Sequence, residues 1–197
     1  FKIGKDCKIH KSVQINVNEG KIDDRTVIAE GVKIEGKHIY IGKESFINRN
    51  SYIGGGSFFD KKAKLETGDW FHLGPNSLID IAQGVELGHE VGIGIDSKIV
   101  SHGAYLDCYN LGSPVQWSGV KIGSNVWLPN AWVNPGVVIG NQVIASARSY
   151  ITKNIPSNSL VAGSPAKVIK KNYLPRLISK EQKKILIENI ISQFSDR

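Results

Sequence analysis

The sequence lacks the cysteines of disulfide-rich secreted domains and the long apolar runs of membrane-spanning proteins. It has no methionine and only two cysteines in 197 residues, and 8% of its residues are aromatic. Cys7 and Cys108 are too few for the disulfide framework of a small secreted domain, which favours a reducing, cytoplasmic setting. No apolar run approaches the roughly 18 residues that cross a bilayer, so we expect no membrane span. Because the chain starts at Phe1 and lacks Met, whether the gene product begins further upstream stays open.

The charge balance is positive, with a formal net charge of +7 and a pI of about 9.3. Such a charge suits nucleic acid, an anionic membrane or a phosphorylated ligand, and lysines on solvated faces explain it equally well. Lys153, Lys167, Lys170 and Lys171 are concentrated near the C-terminus, and this lysine cluster predicts a phosphate site. No basic stripe interleaved with aromatic residues is present, so we expect no nucleic-acid partner.

An aliphatic residue recurs every six positions along much of the chain. A period of six fits neither an α-helix nor a plain strand, and short fixed repeats are typical of solenoids. The pattern therefore predicts an all-β solenoid, in which each unit is a short strand plus a corner and three units close one coil. The repeat comprises Ile3, Ile9 and Ile15, then Ile28 and Ile34, Ile41, Ile47 and Ile53, Leu87, Ile93 and Ile99, Ile122 and Leu128, and Ile139, Ala145 and Ile151.

Glycine often follows the inward aliphatic residue, as at Gly42, Gly88 and Gly123. We expect these glycines to form the corners, because glycine reaches positive φ without a steric penalty. Three segments interrupt the repeat, at residues 16–27, 54–64 and 103–119. Loops on rigid scaffolds are frequent positions for functional sites.

Four segments near the end of the chain, 120–127, 134–140, 149–156 and 161–169, resemble in order and spacing the closing segment of the hexapeptide-repeat acyltransferase family. The resemblance implies a left-handed parallel β-helix, although right-handed crossovers are the general preference. It also implies homotrimers with sites in the grooves between neighbouring subunits, and transfer of an acetyl group from acetyl-coenzyme A, without a metal.

The resemblance implies that His102 is the general base, because the family's base lies at a coil corner before an excursion such as 103–119. A neutral imidazole can remove the proton of an attacking hydroxyl. Asp107 or the backbone would orient the His102 ring, and Tyr105, Asn110 and His89 are candidates for contacts to the acceptor. His89 is also the next candidate for the base. His10, His38 and His72 are explained by solvent or packing.

By the same resemblance, the donor binds along the last coils. Two departures from the family pattern affect this region: the stretch from Leu128 to Ile139 is one residue short, and Arg148 replaces a glycine. The implied donor-binding residues are Trp127, Ala131, Ala147, Arg148, Ser149, Lys153, Pro165 and Lys167.

The pattern changes to helical near the C-terminus. Ser179 and Gln182 have the spacing of a capping box, and Ile187, Ile190, Ile191 and Phe194 would form one apolar face. We therefore expect a β-helix domain over residues 1–175, with an excursion at 103–119, and a helical tail over 176–197.

The resemblance implies a sugar O-acetyltransferase that acts on a bacterial surface polysaccharide or its precursor. Two alternatives stay open: an N-acetyltransferase on an amino sugar nucleotide, and a non-catalytic β-helix scaffold. A carbonic anhydrase of the same fold is excluded because it needs zinc-binding histidines close in sequence, and the nearest pair here is His89 and His102.

Overall fold

The computed structural model describes residues 1–56, 61–103, 112, 116–173 and 179–195. The architecture is mostly β, and the strands form three stacks in which each strand pairs in parallel with the strand one coil later. The first stack contains β1 (Lys2–Ile3), the second halves of β3 (Gln14–Ile22) and β5 (Lys33–Ile41), β8 (Lys64–Thr67), β11 (Val85–Leu87), β16 (Val120–Ile122) and β19 (Val138–Ile139).

The second stack contains β2 (Lys8–Ile9), β4 (Val27–Ile28), β6 (Phe46–Ile47), β9 (His72–Leu73), β12 (Val91–Ile93), β17 (Val126–Leu128), β20 (Val143–Ala145) and β22 (Ser159–Gly163), and β23 (Ala166–Lys171) closes it by antiparallel pairing. The third stack contains the first halves of β3 and β5, then β7 (Tyr52–Gly54), β10 (Leu78–Asp80), β13 (Lys98–Ile99), β18 (Trp132–Val133) and β21 (Tyr150–Ile151).

The core is a column of aliphatic side chains along the axis of the coils. The residues predicted to point inward from position 28 onward are buried, and Ile47, Ile53, Ile93 and Ile99 have no exposed surface. Ile3 is 54% exposed because it lies in the terminal coil, where no described strand packs on its outer side. From Ile28 onward, the six-residue repeat therefore identified core positions correctly.

The prediction that these glycines are required for positive φ was wrong. Gly88 and Gly123 do not have positive φ; the left-handed conformation falls two residues later, on Glu90 and Asn125. A Cβ on Gly88 would lie 2.4 Å from Ser124 Oγ, and one on Gly123 would lie 2.4 Å from the Asn141 side chain. Glycine is needed there because successive coils approach too closely for a side chain.

The expected interruption at 16–27 was also wrong. Residues 16–22 continue β3, which pairs with β5 over its whole length, and Ile22 is fully buried. Both strands run past the corner between the third and first stacks. Gly20 permits this pairing, because a Cβ there would lie 1.9 Å from Ile39 O.

Coil length varies at one edge, the connection from the third stack to the first, which we call the variable edge. At the other two edges inward residues are six apart, as Ile47 and Ile53 are, with one exception. At the variable edge the chain runs from Ile53 to Thr67 in one coil and from Ile99 to Ile122 in another. Every long insertion therefore leaves the coils along this edge.

The exception is the corner between Leu128 and Val133, which accounts for the residue missing from the closing segment. These residues pair with Ile93 and Ile99, so five positions match six in the preceding coil. Strand register is kept on both sides of the corner, and Ala131 at the corner is fully buried. The shortening is thus confined to the turn.

The longest insertion begins as a hairpin, because β14 (His102–Gly103) pairs antiparallel with β15 (Gln116–Trp117). At the C-terminus, helix α1 (Lys180–Ser195) starts with the predicted capping box: the Ser179 N–H donates to Gln182 Oε1 at 2.9 Å, and the Gln182 N–H donates to Ser179 Oγ at 3.2 Å. No helix in the described ranges has the length and apolar character to cross a membrane. The side chains of Ile190, Ile191 and Phe194 lie outside the described part.

Candidate active site

His102 and Asp80 form a tightly bonded pair where the chain enters the variable edge. The His102 Nδ1 lies 2.7 Å from Asp80 Oδ2. The Asp80 side chain is only 10% exposed, whereas the His102 side chain is 38% exposed. A carboxylate that is almost completely buried needs hydrogen-bond donors. The imidazole supplies one while its other edge stays accessible.

The backbone fixes the Asp80 carboxylate in place. Its Oδ2 accepts hydrogen bonds from the Ser101 N–H at 2.9 Å, the Ser101 hydroxyl at 3.1 Å and the His102 N–H at 3.2 Å. Its Oδ1 accepts one from the Ala82 N–H at 3.2 Å. Gly55 leaves room for this group, because a Cβ there would lie 2.2 Å from Oδ1. Asp80 is thus a rigid acceptor for the ring.

This geometry selects one tautomer of neutral His102. A carboxylate can only accept, so Nδ1 carries the hydrogen and Nε2 keeps its lone pair. In the described part of the chain Nε2 makes no hydrogen bond. The residue is therefore arranged to accept a proton at Nε2, with Asp80 stabilising the imidazolium that results.

Trp117 packs against the face of the same imidazole. The ring centroids of His102 and Trp117 are 5.6 Å apart, and their planes make an angle of 32°. The two residues are direct partners across the β14–β15 hairpin. The hairpin base thus holds the ring in addition to the Asp80 hydrogen bond.

A groove leads away from His102 along the third stack and consists of two adjoining cavities. The cavity at His102 has a volume of about 300 Å³, and the outer cavity beyond it has about 430 Å³. Trp132 and Tyr150 line both. The outer cavity is otherwise lined by Asn130, Arg148, Ser149 and Ser164.

His89, the other candidate base, has the opposite tautomer and lies at a different corner. The Asp69 N–H donates to His89 Nδ1 at 3.0 Å, so a neutral ring carries its hydrogen on Nε2. His89 lines a cavity with His38 and Tyr40, separate from the two cavities of the groove. Neutral His89 can donate from Nε2 but cannot accept there, which favours His102 as the base.

His72 is far from the groove in the fold and has a packing role. It lies on β9 in the second stack, where its ring centroid is 5.5 Å from that of Phe46. Burial lowers the pKa of His72, because desolvation disfavours the charged ring. The expectation that packing explains this residue agrees with the contact.

The structure brings only part of the predicted donor set to the groove. Arg148 and Ser149 line the outer cavity, and Ala147 is exposed next to them. Ala131 is fully buried and its N–H donates to Ser97 Oγ, so neither its side chain nor its amide faces the groove. Trp127 lies on the second stack, where its ring covers Gly92. It therefore belongs to a different face of the coil from the groove.

The remaining donor candidates lie at the C-terminal end of the coils. Lys153 is exposed just after β21, and Pro165 and Lys167 are exposed around the β22–β23 turn. The strands β21 and β23 contact each other, which brings the parts of the lysine cluster to the same end of the structure.

Sequence reasoning missed Asp80. The orienting role was given to Asp107 or the backbone, and Asp107 lies outside the described residues together with Tyr105, Asn110 and Cys108. The signal was an Asp directly after the inward Ile79, on the strand one coil before His102. Alignment of residues one coil apart places Asp80 next to Val100, two positions before His102.

Comparisons with known proteins give relatives for part of the chain, although no protein-family model matches it. WbbJ of Escherichia coli, named as a lipopolysaccharide biosynthesis O-acetyl transferase, is 39% identical over 98 residues, which cover 41% of this chain and 50% of the relative. The chain spans half the length, or less, of the first curated relatives it matches.

Solved structures share the fold. A hexapeptide-repeat acetyltransferase from Vibrio cholerae in complex with acetyl-coenzyme A has a TM-score of 0.52 at 21% identity, over 66% of this chain and 69% of that chain. AntD, an N-acyltransferase from Bacillus cereus in complex with dTDP and 3-hydroxybutyryl-CoA, has a TM-score of 0.56 at 16% identity, over 100% and 92%. At such low sequence identity, these two structures show a shared fold and nothing more. The shared fold and the WbbJ relative together confirm the resemblance predicted from the closing segment.

Proposed function

We propose that this chain, which is similar to the hexapeptide-repeat acyltransferases in sequence and fold, transfers an acetyl group from acetyl-coenzyme A to a sugar hydroxyl. The acceptor would be a bacterial surface polysaccharide or its precursor, as the name of the WbbJ relative suggests. The observation that carries the proposal is the His102–Asp80 pair, with its 2.7 Å hydrogen bond, at the inner end of a groove.

In the proposed reaction, His102 Nε2 removes the proton of the acceptor hydroxyl while the oxygen attacks the thioester carbonyl. The resulting tetrahedral intermediate carries an oxyanion, which needs a hydrogen-bond donor such as a backbone N–H. As the intermediate collapses, the carbon–sulfur bond breaks and the imidazolium returns its proton to the departing sulfur. Asp80 would stabilise the charged ring through both steps. General acid–base catalysis of this kind contributes about 10²- to 10⁴-fold to the rate.

The donor would lie along the groove, with its thioester near His102 and its nucleotide end toward the lysine cluster. Arg148 at the outer cavity and the exposed Lys153 and Lys167 supply cations that suit its phosphates. No metal is invoked, because the chemistry needs only a base, an oxyanion donor and a thiol leaving group.

Coenzyme A should bind and raise the melting temperature, because a ligand that binds only the native state stabilises it. The double variant Lys153→Ala, Lys167→Ala should weaken binding by at least about tenfold, roughly 1.4 kcal/mol. Isothermal calorimetry measures the change. Lys2→Ala with Lys8→Ala removes the same charge at the other end of the coils and should bind normally; unchanged affinity in the first pair would mean that the phosphates lie elsewhere.

We further propose that the coils are left-handed and that three chains assemble around the grooves as a homotrimer. The open side of the groove and the exposed Trp127 on another face support this assembly, because a neighbouring copy could then bring its Trp127 to the donor. Light scattering at micromolar concentration should give three times the 21.6 kDa of one chain. A monomeric mass would contradict the proposal.

Two other functions remain as alternatives. N-acetylation of an amino sugar nucleotide is favoured by the fold likeness to AntD, an N-acyltransferase whose structure contains dTDP. A mass-based screen of sugars, amino sugars and nucleotide sugars separates the two, because an ester product is cleaved by hydroxylamine and an amide is not. A non-catalytic scaffold would bind no coenzyme A.

We propose a cytoplasmic location for the protein, which its low cysteine content supports.

A further inference from the structure

Two aromatic side chains, Trp132 and Tyr150, stand between the cavity at His102 and the outer cavity. Both line both cavities, and their ring centroids are 6.3 Å apart with planes at 88°. Trp132 is 48% exposed and Tyr150 is 37% exposed, so the rings form part of the groove surface and not of the core. A ligand that extends from the outer cavity to His102 must pass these two rings.

The Trp132 ring has a neighbour on each side along the third stack. Lys98 is its strand partner in the preceding coil, and Tyr150 is its partner in the following coil. The Lys98 Nζ lies 4.5 Å from the Trp132 ring centroid, within the range of a cation–π contact. Lys98 forms no ion pair with any described residue, so this contact is its main described interaction. The indole is thus contacted from both sides along the stack and forms one wall of the groove.

We propose that Trp132 and Tyr150 limit the length of the acyl group, so that acetyl enters the cavity at His102 and longer chains do not. This inference rests on the proposed function, because it requires an acyl-coenzyme A donor in the groove. The inner cavity of about 300 Å³ must hold both the acyl group and the reacting end of the acceptor.

Two further residues that line the inner cavity cannot easily move aside for a longer chain. Val133 is buried at the base of the groove, and Pro135 has a rigid ring. An added methylene therefore has to displace the acceptor or move Trp132 away from Lys98. In a packed apolar site, one methylene changes binding by about 10- to 200-fold.

The test measures binding of unreactive donor analogues, so it needs no acceptor. Calorimetry with coenzyme A and its S-ethyl, S-butyl and S-hexyl thioethers gives affinity as a function of chain length. The native protein should bind S-hexyl-coenzyme A at least about tenfold more weakly than S-ethyl-coenzyme A. Trp132→Ala and Tyr150→Ala should each remove most of that difference, with the affinity for free coenzyme A in each variant as its own reference.

Trp70→Ala is the matched control, because Trp70 is 61% exposed at a corner outside the groove cavities and should keep the native preference. Trp132→Leu replaces Trp132→Ala if the melting curve shows that the alanine variant is unfolded. Equal affinity of the native protein for all chain lengths would overturn the inference while coenzyme A binding still supports the proposed function. An equal loss for every analogue in Trp132→Ala would also overturn it. Failure of the native protein to bind free coenzyme A would overturn both.

Discussion

His102→Ala should lower turnover by about two to four orders of magnitude, because the proposed base is lost while the groove proposed to hold the donor is kept. Coenzyme A binding and the oligomeric state should not change, since the His102 side chain is not a core residue. Thiol release from acetyl-coenzyme A with an acceptor found in the screen measures turnover.

His72→Ala serves as the control for this variant, because His72 packs on Phe46 in the second stack and should leave turnover near the native value. His89→Ala tests the rival assignment. Near-native turnover in His102→Ala, with a large loss in His89→Ala, would move the base to the other corner and contradict the tautomer argument.

Asp80→Asn should lower turnover by about 10²- to 10⁴-fold, although Asp80 acts through His102 and not on a substrate directly. An amide has one acceptor oxygen, whereas the donors around Asp80 meet both carboxylate oxygens. The amide N–H₂ would compete with the Nδ1–H of His102 or reverse its tautomer, which removes the lone pair from Nε2. Nitrogen NMR of the His102 ring reports the tautomer directly, and a change there distinguishes a positioning role from general loosening.

Asp23→Asn is the matched control for Asp80→Asn, since Asp23 is also a buried carboxylate with a charged partner. Its Oδ1 lies 2.9 Å from Lys21 Nζ, and the hydrogen bond from Lys21 lowers the pKa of Asp23. Losing this pair should lower stability but leave turnover per folded molecule unchanged, because Asp23 lies in the early coils. If Asp80→Asn merely lowers the melting temperature in the same way and keeps turnover, Asp80 has no role in orienting the base.

The inward positions could be read from the sequence because each depends on one local rule. An aliphatic residue every six positions must face the axis of a coil, and Ile41, Ile93 and Ile139 do so. What depends on a neighbouring coil was harder to predict. Glycine at position 88 was attributed to its own φ, whereas the constraint comes from Ser124 in the next coil.

The same limitation affected the active site. His102 was predicted to be the base through the family resemblance, because it follows Ile99 at the start of a long insertion. Its partner was sought further along, at Asp107, although backbone pairing brings the preceding coil just as close. Asp80 lies 22 positions earlier in sequence, yet only 2.7 Å separates its carboxylate from the ring. The Trp132–Tyr150 wall also arises from pairing between coils, and neither residue alone signals it.

The variable edge allows inserted segments to differ in length while the scaffold of paired strands stays the same. Strand pairing fixes both ends of each insertion, at Ile53 and Thr67 and at Ile99 and Ile122, whatever the length of chain between them. Because loop closure costs only about 0.6 kcal/mol for each doubling of length, such segments can be lengthened or exchanged at small energetic cost. His102 lies at the base of one of them. Recombination between homologues at this edge would therefore exchange the inserted segments while Asp80 and the cavities along the third stack are inherited intact.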